Sequence, residues 1–195
     1  MKKIRVFLLV PAVMLLLCAC GETQITTTTI RIDKSGKITH TIVDSFEESY
    51  YDLSEMEKMA GDEAKEYNDS HGNGLVTVDS VAAEGDEVRV VMEYQNAAAY
   101  SDFNEEVLFY GTVSEAVQAG YDLDISLIDL KDNTQYLTRD DLLKMGEKHL
   151  LITSESMHFI MPSNLAYVSE GVIISEGRKE ADTVPEDSCC YILLK

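Results

Sequence analysis

This sequence predicts an α+β fold with mainly antiparallel pairing, and three observations carry the prediction. Two β-branched runs flank a short Gly-containing turn near residue 36, a charged stretch over 53–68 carries apolar residues at three- and four-residue spacing, and short helical and strand-like pieces interleave through the remainder. The 195 residues are 45% hydrophobic and 26% charged with only three Pro, the composition of a globular chain able to bury a core rather than of a disordered or collagen-like one.

The chain opens with Lys2, Lys3 and Arg5, followed by a 12-residue apolar run from Val6 to Leu17. A membrane-spanning helix needs about 20 such residues, so this layout fits the apolar segment of a secretory signal. The run ends in Leu17-Cys18-Ala19-Cys20-Gly21, which resembles the lipobox of bacterial lipoproteins: an aliphatic residue, two small residues, then a cysteine. The resemblance implies cleavage between Ala19 and Cys20, a diacylglyceryl group on the Cys20 thiol and a further acyl chain on the new amine. One acyl chain holds a membrane marginally, while two or three hold it stably at about 0.8 kcal/mol per buried CH₂. The expected organisation is a signal peptide over 1–19, a lipidated tether over 20–24 reaching about 14 Å, and one extracytoplasmic α+β domain over 25–195.

The first hairpin pairs the run from Ile25 to Ile32 with Lys37 to Val43. A three-residue loop of Lys34, Ser35 and Gly36 makes Asp33 face Lys37 and sets Ile32 opposite Ile38, Ile30 opposite His40 and Thr28 opposite Ile42. Gly36 then takes the left-handed position that such a loop requires. Leu53, Met56, Ala60, Ala64 and Tyr67 predict a helix over 53–68, with Ser54 and Glu57 as a capping box and Gly61 as an internal weakness of about 1 kcal/mol. Asn68 to Gly74 reads as an exit loop. Val76, Val78, Ser80 and Ala82 are expected to share a face opposite Val88, Met92 and Tyr94 around Glu84-Gly85-Asp86.

Further along, a helical piece is expected at 97–104, a strand at 107–112, a short helix at 114–119 and an alternating strand at 122–128. Thr138 to Gly146 has a capping threonine, early acids, a late Lys and a final Gly, the best-written helix in the chain. Short strands are expected at 150–153, 158–161, 165–168, 172–175 and 191–194. Beyond the lipobox, the chain is similar to a group of small lipoproteins of anaerobic Gram-positive bacteria. The likeness lies in Ile-Arg-Ile-Asp-Lys-Ser-Gly-Lys-Ile-Thr-His and Glu-Gly-Asp-Glu-Val-Arg-Val-Val-Met-Glu-Tyr. It implies the architecture and supplies no functional residues.

Charge narrows the function classes. Sixteen Lys and Arg against 35 Asp and Glu give −19, and loss of residues 1–19 removes three basic residues and no acid, leaving 13 against 35, a formal −22. A phosphate backbone would be repelled, so no nucleic acid is expected, and a monomeric, solvated body is. Apart from membrane lipid at acylated Cys20, the partners left open are an envelope protein or a glycan.

No HExxH, GxSxG, SxxK, P-loop or GxGxxG pattern occurs, so no cofactor, metal or catalytic residue is assigned. His40 falls between Ile38 and Ile42 on the inward face and is expected to be a satisfied core histidine, while His71 is expected in a solvated loop; His149 and His158 stand alone. Asp129 to Asp140 fails as a calcium loop because Lys131 and Thr134 occupy the positions of a ligand and of the turn glycine. Asp44, Glu47, Glu48, Asp52, Glu55 and Glu57 read as a solvated acidic face, and most of the ten Tyr as core. Cys189 and Cys190 read as a strand with one thiol inward and one outward. The reading reached from sequence is a lipid-anchored binding or interaction module at the outer face of the cell membrane. Its rival is a tethered hydrolase or transferase whose site assembles only in the fold.

Overall fold

The computed structural model describes residues 25–46, 52–175, 177–185 and 189–195. The signal, Ala19, Cys20, the tether and the acids Glu47 and Glu48 lie outside the described residues. β1 (Thr29–Ile32) and β2 (Ile38–Ser45) form the first hairpin, α1 (Leu53–His71) follows, and β3 (Val76–Glu84) and β4 (Glu87–Tyr94) form the second. Then come α2 (Ala97–Asn104), β5 (Leu108–Thr112), α3 (Val113–Gln118), β6 (Leu127–Asp129), β7 (Tyr136–Leu137) and α4 (Arg139–Leu143). Six strands close the chain: β8 (His149–Thr153), β9 (His158–Ile160), β10 (Leu165–Val168), β11 (Val172–Ile174), β12 (Glu180–Thr183) and β13 (Cys190–Leu194).

They build two sheets, β11-β12-β9-β1-β2-β4-β3 and β5-β8-β13-β10-β6-β7. Among the described residues only the β1–β9 pair is parallel, so the α+β, mainly antiparallel class stands. The inner face of the seven-stranded sheet supplies Ile30, Ile32, Ile38, Val90, Met92 and Phe159 to one core. It meets Leu108, Leu151, Leu165 and Ile192 of the six-stranded sheet there, with Ala64 of α1 and Tyr100 of α2. The opposite face of the six-stranded sheet forms a second core with Val113 and Ala116 of α3 and Leu142 of α4, to which Leu150, Ile152 and Leu193 contribute. All four described helices are spent on these two cores, and the outward face of the seven-stranded sheet carries none of them.

The first hairpin has the expected register, Ile30 opposite His40 and Ile32 opposite Ile38, closed by Asp33 N–H donating to the Lys37 carbonyl at 3.0 Å. Gly36 sits at φ +86°, and Asp33 Oδ1 accepts from the Ser35 and Lys37 N–H groups at 2.7 and 3.0 Å. Helix α1 starts where expected but is capped differently: Asp52, extended at φ −121°, accepts from the Ser54 and Glu55 N–H groups at 2.8 and 3.1 Å, so no Ser54–Glu57 box is needed. It also continues to His71, because Asn68 does not begin a loop. Its carboxamide donates to the Val76 carbonyl at 2.7 Å and accepts from Leu75 and Val76 N–H at 3.0 Å each, tying the helix to β3.

Three other expectations give way. Between Val78 opposite Met92 and Ser80 opposite Val91 the ladder slips by one residue, so Val81 and Ala83, rather than Ser80 and Ala82, face Val90 and Val88. The bulge at Asp79 lets Val76, Val78 and Val81 all reach the core although their spacing changes from two to three. The strand expected from 122 is confined to Leu127–Asp129: Asp122 Oδ1 accepts the Asp124 N–H at 2.9 Å and the Asp122 carbonyl accepts the Tyr191 hydroxyl at 2.9 Å, while Leu123 and Ile125 pack into the second core as loop residues.

The best-written helix is five residues long. Thr138 Oγ1 donates to Asp141 Oδ2 at 3.0 Å instead of accepting a backbone N–H, and the chain after Leu143 turns to place the Gly146 and Lys148 carbonyls on the Ser114 and Val113 N–H groups at 3.0 and 2.9 Å. Gly146 is there for proximity: a Cβ on it would stand 2.5 Å from Ser114 Oγ. Strands β7 and β12 have no counterpart in the sequence reading.

Two glycines test this account in opposite directions. Gly36→Val forces a β-branched residue to positive φ and should lower stability by about 1–2 kcal/mol. Gly61→Ala meets no heavy atom within 4 Å of the new Cβ and should raise it by about 1 kcal/mol. Urea unfolding of both variants checks the pair, and unchanged midpoints would contradict the loop geometry and the helix respectively.

Candidate functional site

The uncovered sheet face is where polar side chains gather. Side chains alternate across a strand, so the pairings Thr29–His158–Asp182 and Arg31–Ile160–Glu180 lay two rows of residues across β1, β9 and β12 on the outward side. His158 Nδ1 lies 2.9 Å from Asp182 Oδ1, and its Nε2 lies 3.7 Å from Glu180 Oε2. Residues 25–27, with Thr29, Arg31, His158, Ile160 and Glu180, line a half-open cavity of about 360 Å³ on this face. Thr29 Oγ1 donates to the Thr27 carbonyl at 2.8 Å, which fixes that segment to the sheet. Arg31 makes no ion pair or hydrogen bond among the described residues, and Thr26 makes no hydrogen bond among them. Chemically, the arrangement can hold a small polar ligand between a free guanidinium and a carboxylate, with hydroxyls at the side.

A second concavity, about 710 Å³, opens between α2 and β5. Ala97, Ala98, Val107, Phe109 and Tyr121 give it apolar walls, and Asp102, Glu105 and Glu106 stand among its lining residues without a basic residue. Glu105 ends α2 at φ 57°, a left-handed position unusual for this residue.

Behind these surfaces lies a buried polar cluster. His40 is inward as expected, 7% exposed, yet neither ring nitrogen has a hydrogen-bond partner among the described residues. It is therefore a core histidine but not a satisfied one. Burial pushes its pKa down to about 4, and its ring meets the Tyr100 ring edge-on at 5.5 Å. The Tyr100 hydroxyl donates to Glu155 Oε2 at 2.9 Å, while Glu155 Oε1 is buried without a hydrogen-bond partner among the described residues. Burial raises the pKa of Glu155, and burial together with the Glu155 charge raises that of Tyr100. Tyr94, stacked edge-on to Tyr100 at 4.9 Å, is pushed up to about 12 mainly by burial.

The remaining candidates fall into place singly. His71 is exposed, but it ends α1 rather than sitting in a loop, with its ring stacked on Tyr67 at 4.3 Å and Nε2 3.4 Å from Asp102 Oδ2. His149 lies beside Tyr110 at 5.3 Å. Cys190 is buried on β13, Cys189 is half-buried before it, and the two thiols are free; burial raises both. Asp129 and Asp132 are turn-makers, accepting from the Lys131 and Thr134 N–H groups at 2.7 and 3.1 Å. Among the described residues no group of three His, Cys, Asp or Glu side chains is placed to hold a metal ion. Tyr94 and Tyr100 are core, whereas Tyr136 is 61% exposed.

Sequence reading missed the His158 site because its members come from three strands and residues 31, 158, 180 and 182 share no local spacing. The usable signal is the alternation His-Phe-Ile and Glu-Ala-Asp, in which one apolar residue faces the core between two outward ones. Comparison with protein-family models, with curated proteins and with solved structures finds no match to this chain.

The buried histidine makes stability depend on pH. Its folded pKa of about 4 lies below the unfolded value near 6.5, so between those values the unfolded chain binds the extra proton and stability falls as pH drops, by on the order of 3 kcal/mol across the window. Glu155, raised by burial, works in the opposite sense and offsets part of this. His40→Leu should remove the histidine contribution and unfold at a higher temperature than wild type at pH 5. A wild-type slope retained in that variant would assign the effect elsewhere.

Proposed function

We propose that this chain is a lipid-anchored protein of the cell envelope, held at the outer face of the membrane through acylated Cys20, whose body binds a small polar ligand rather than turning one over. The observation that carries the reading is the cavity on the uncovered sheet face, where Arg31, His158 and Glu180 line a single space together with residues 25–27. Those residues follow the tether directly, so an anchor at Cys20 keeps the cavity within about 14–20 Å of the lipid surface. The formal −22 of the processed chain supports a covalent anchor over adsorption, because an acidic body is repelled by anionic lipid.

The enzymatic reading retains one specific observation, the 2.9 Å contact of His158 Nδ1 with Asp182, since a carboxylate in that position orients an imidazole for general-base work. The lining residues offer threonine hydroxyls and no serine or cysteine, so the reaction supported would be attack by an activated water. Esterase, peptidase and glycosidase substrates tested against wild type and His158→Gln separate the two, because turnover abolished by that substitution replaces binding with hydrolysis.

The anchor is tested in cells. Wild type should fractionate with membranes and carry acyl mass on Cys20, and Cys20→Ser should move most of the protein to the soluble or uncleaved fraction. A soluble, unacylated wild-type chain would overturn it.

A further inference from the structure

The outward cavity is bounded by charges of both signs that do not meet. Arg31 is unpaired among the described residues, and Glu180 Oε2 lies 3.7 Å from His158 Nε2. The register explains the separation: Arg31 is opposite Ile160, and Ile160 is opposite Glu180, so their α-carbons stand two strand spacings apart, about 10 Å. Ile160 forms an apolar floor between them, and Ile25 adds an apolar wall from the segment 25–27. Asp182 holds Nδ1 of His158, which leaves Nε2 toward Glu180 and keeps that carboxylate at the cavity edge.

Such a site discriminates by repulsion as well as attraction. A simple anion drawn to Arg31 is opposed by Glu180, and a simple cation drawn to Glu180 is opposed by Arg31. A molecule carrying both charges satisfies both walls. The volume, about 360 Å³, lies at the small end of the range for ligand sites and suits a molecule of amino-acid size rather than a glycan chain or a folded partner.

We propose that this cavity binds a small zwitterion, its carboxylate or phosphate on Arg31, its ammonium on Glu180, and an aliphatic substituent against Ile25 and Ile160. Two sources share the paired charges, a free amino acid and a phosphoethanolamine headgroup, and of these the amino acid also carries the aliphatic substituent. The inference deepens the binding reading above and uses its site, but it does not depend on the lipid anchor.

The test is calorimetric titration of the full chain in detergent with leucine, with its two half-molecules 4-methylpentanoate and 3-methylbutylamine, and with O-phosphoethanolamine. At least one zwitterion should bind at least tenfold more tightly than either half-molecule, and which of the two binds identifies the source. Arg31→Gln should bring leucine down to the level of the amine, and Glu180→Gln down to that of the carboxylate. Both residues are on the surface, so the variants should melt like wild type. Silence from both zwitterions, a half-molecule that binds as tightly as leucine, or variants that bind unchanged would overturn the proposal. A soluble, unacylated chain that still prefers the zwitterion would overturn the anchor alone, and an acylated chain that is silent would overturn this inference alone.

Discussion

The rest of the molecule depends on keeping both faces of the β8–β13 ribbon dry. Leu150, Leu151 and Ile152 of β8 and Ile192 of β13 are fully buried, and Leu193 and Leu194 are within 2% of it, so successive residues point into different cores and both are closed. Each such side chain withdraws from water about 1.5–3 kcal/mol of transfer free energy, which no single-sided sheet can collect. The helices follow from this demand. Helices α3 and α4, with residues 121–125, close one side, and the seven-stranded sheet with α1 and α2 closes the other. With every described helix so used, the outward face of the larger sheet presents polar residues together with Ile160 and the exposed Ile173, and the candidate cavity lies on that face.

Local chemistry made much of this legible. The first hairpin could be placed to the residue because Gly36 fixes the loop length, and a one-residue slip would have turned Ile30, Ile32 and Ile38 to water. Helix α1 was visible through its apolar stripe. Failures came where a side chain took a tertiary partner that no window of sequence contains. Asn68 stayed in the helix with its carboxamide on β3, Gly146 was needed for its approach to Ser114, and Asp79 bulged so that Val81 could join Val76 and Val78 inside. Propensity rightly marked Thr138 to Leu143 as helical, but the next five residues serve the start of α3, and that use ended the helix.

The candidate site was illegible for a related reason. A catalytic motif on one helix or loop announces itself by spacing, whereas a site laid across parallel and antiparallel neighbours is spaced by the topology. His158 and Asp182 are 24 residues apart, and Arg31 joins them only because β1 runs parallel to β9 in the middle of the sheet. Strand β12, which contributes Glu180 and Asp182, has one small buried apolar residue, Ala181, flanking its outward pair, too weak a pattern to read as a strand. The least sheet-like sequence thus supplies the most charged part of the site.

The buried polar cluster shows the same economy from inside. Burying two unpaired imidazole nitrogens and one carboxylate oxygen costs about 1–3 kcal/mol for each unsatisfied group, a large share of the stability of a domain this size. That cost is borne in the first core, where the Tyr100 ring meets His40 edge-on and Tyr94 and Phe103 extend the aromatic contacts behind Tyr100. An apolar residue at position 40 would pack there without the penalty, since Ile38 and Ile42 on either side already do. Strand β2 also pairs with β1, whose Thr29 and Arg31 line the outward cavity, so the buried histidine and the cavity share one piece of sheet. Acid therefore lowers the stability of the scaffold beneath the candidate site as pH falls from about 6.5 toward 4, because the unfolded chain binds a proton there that the buried imidazole does not.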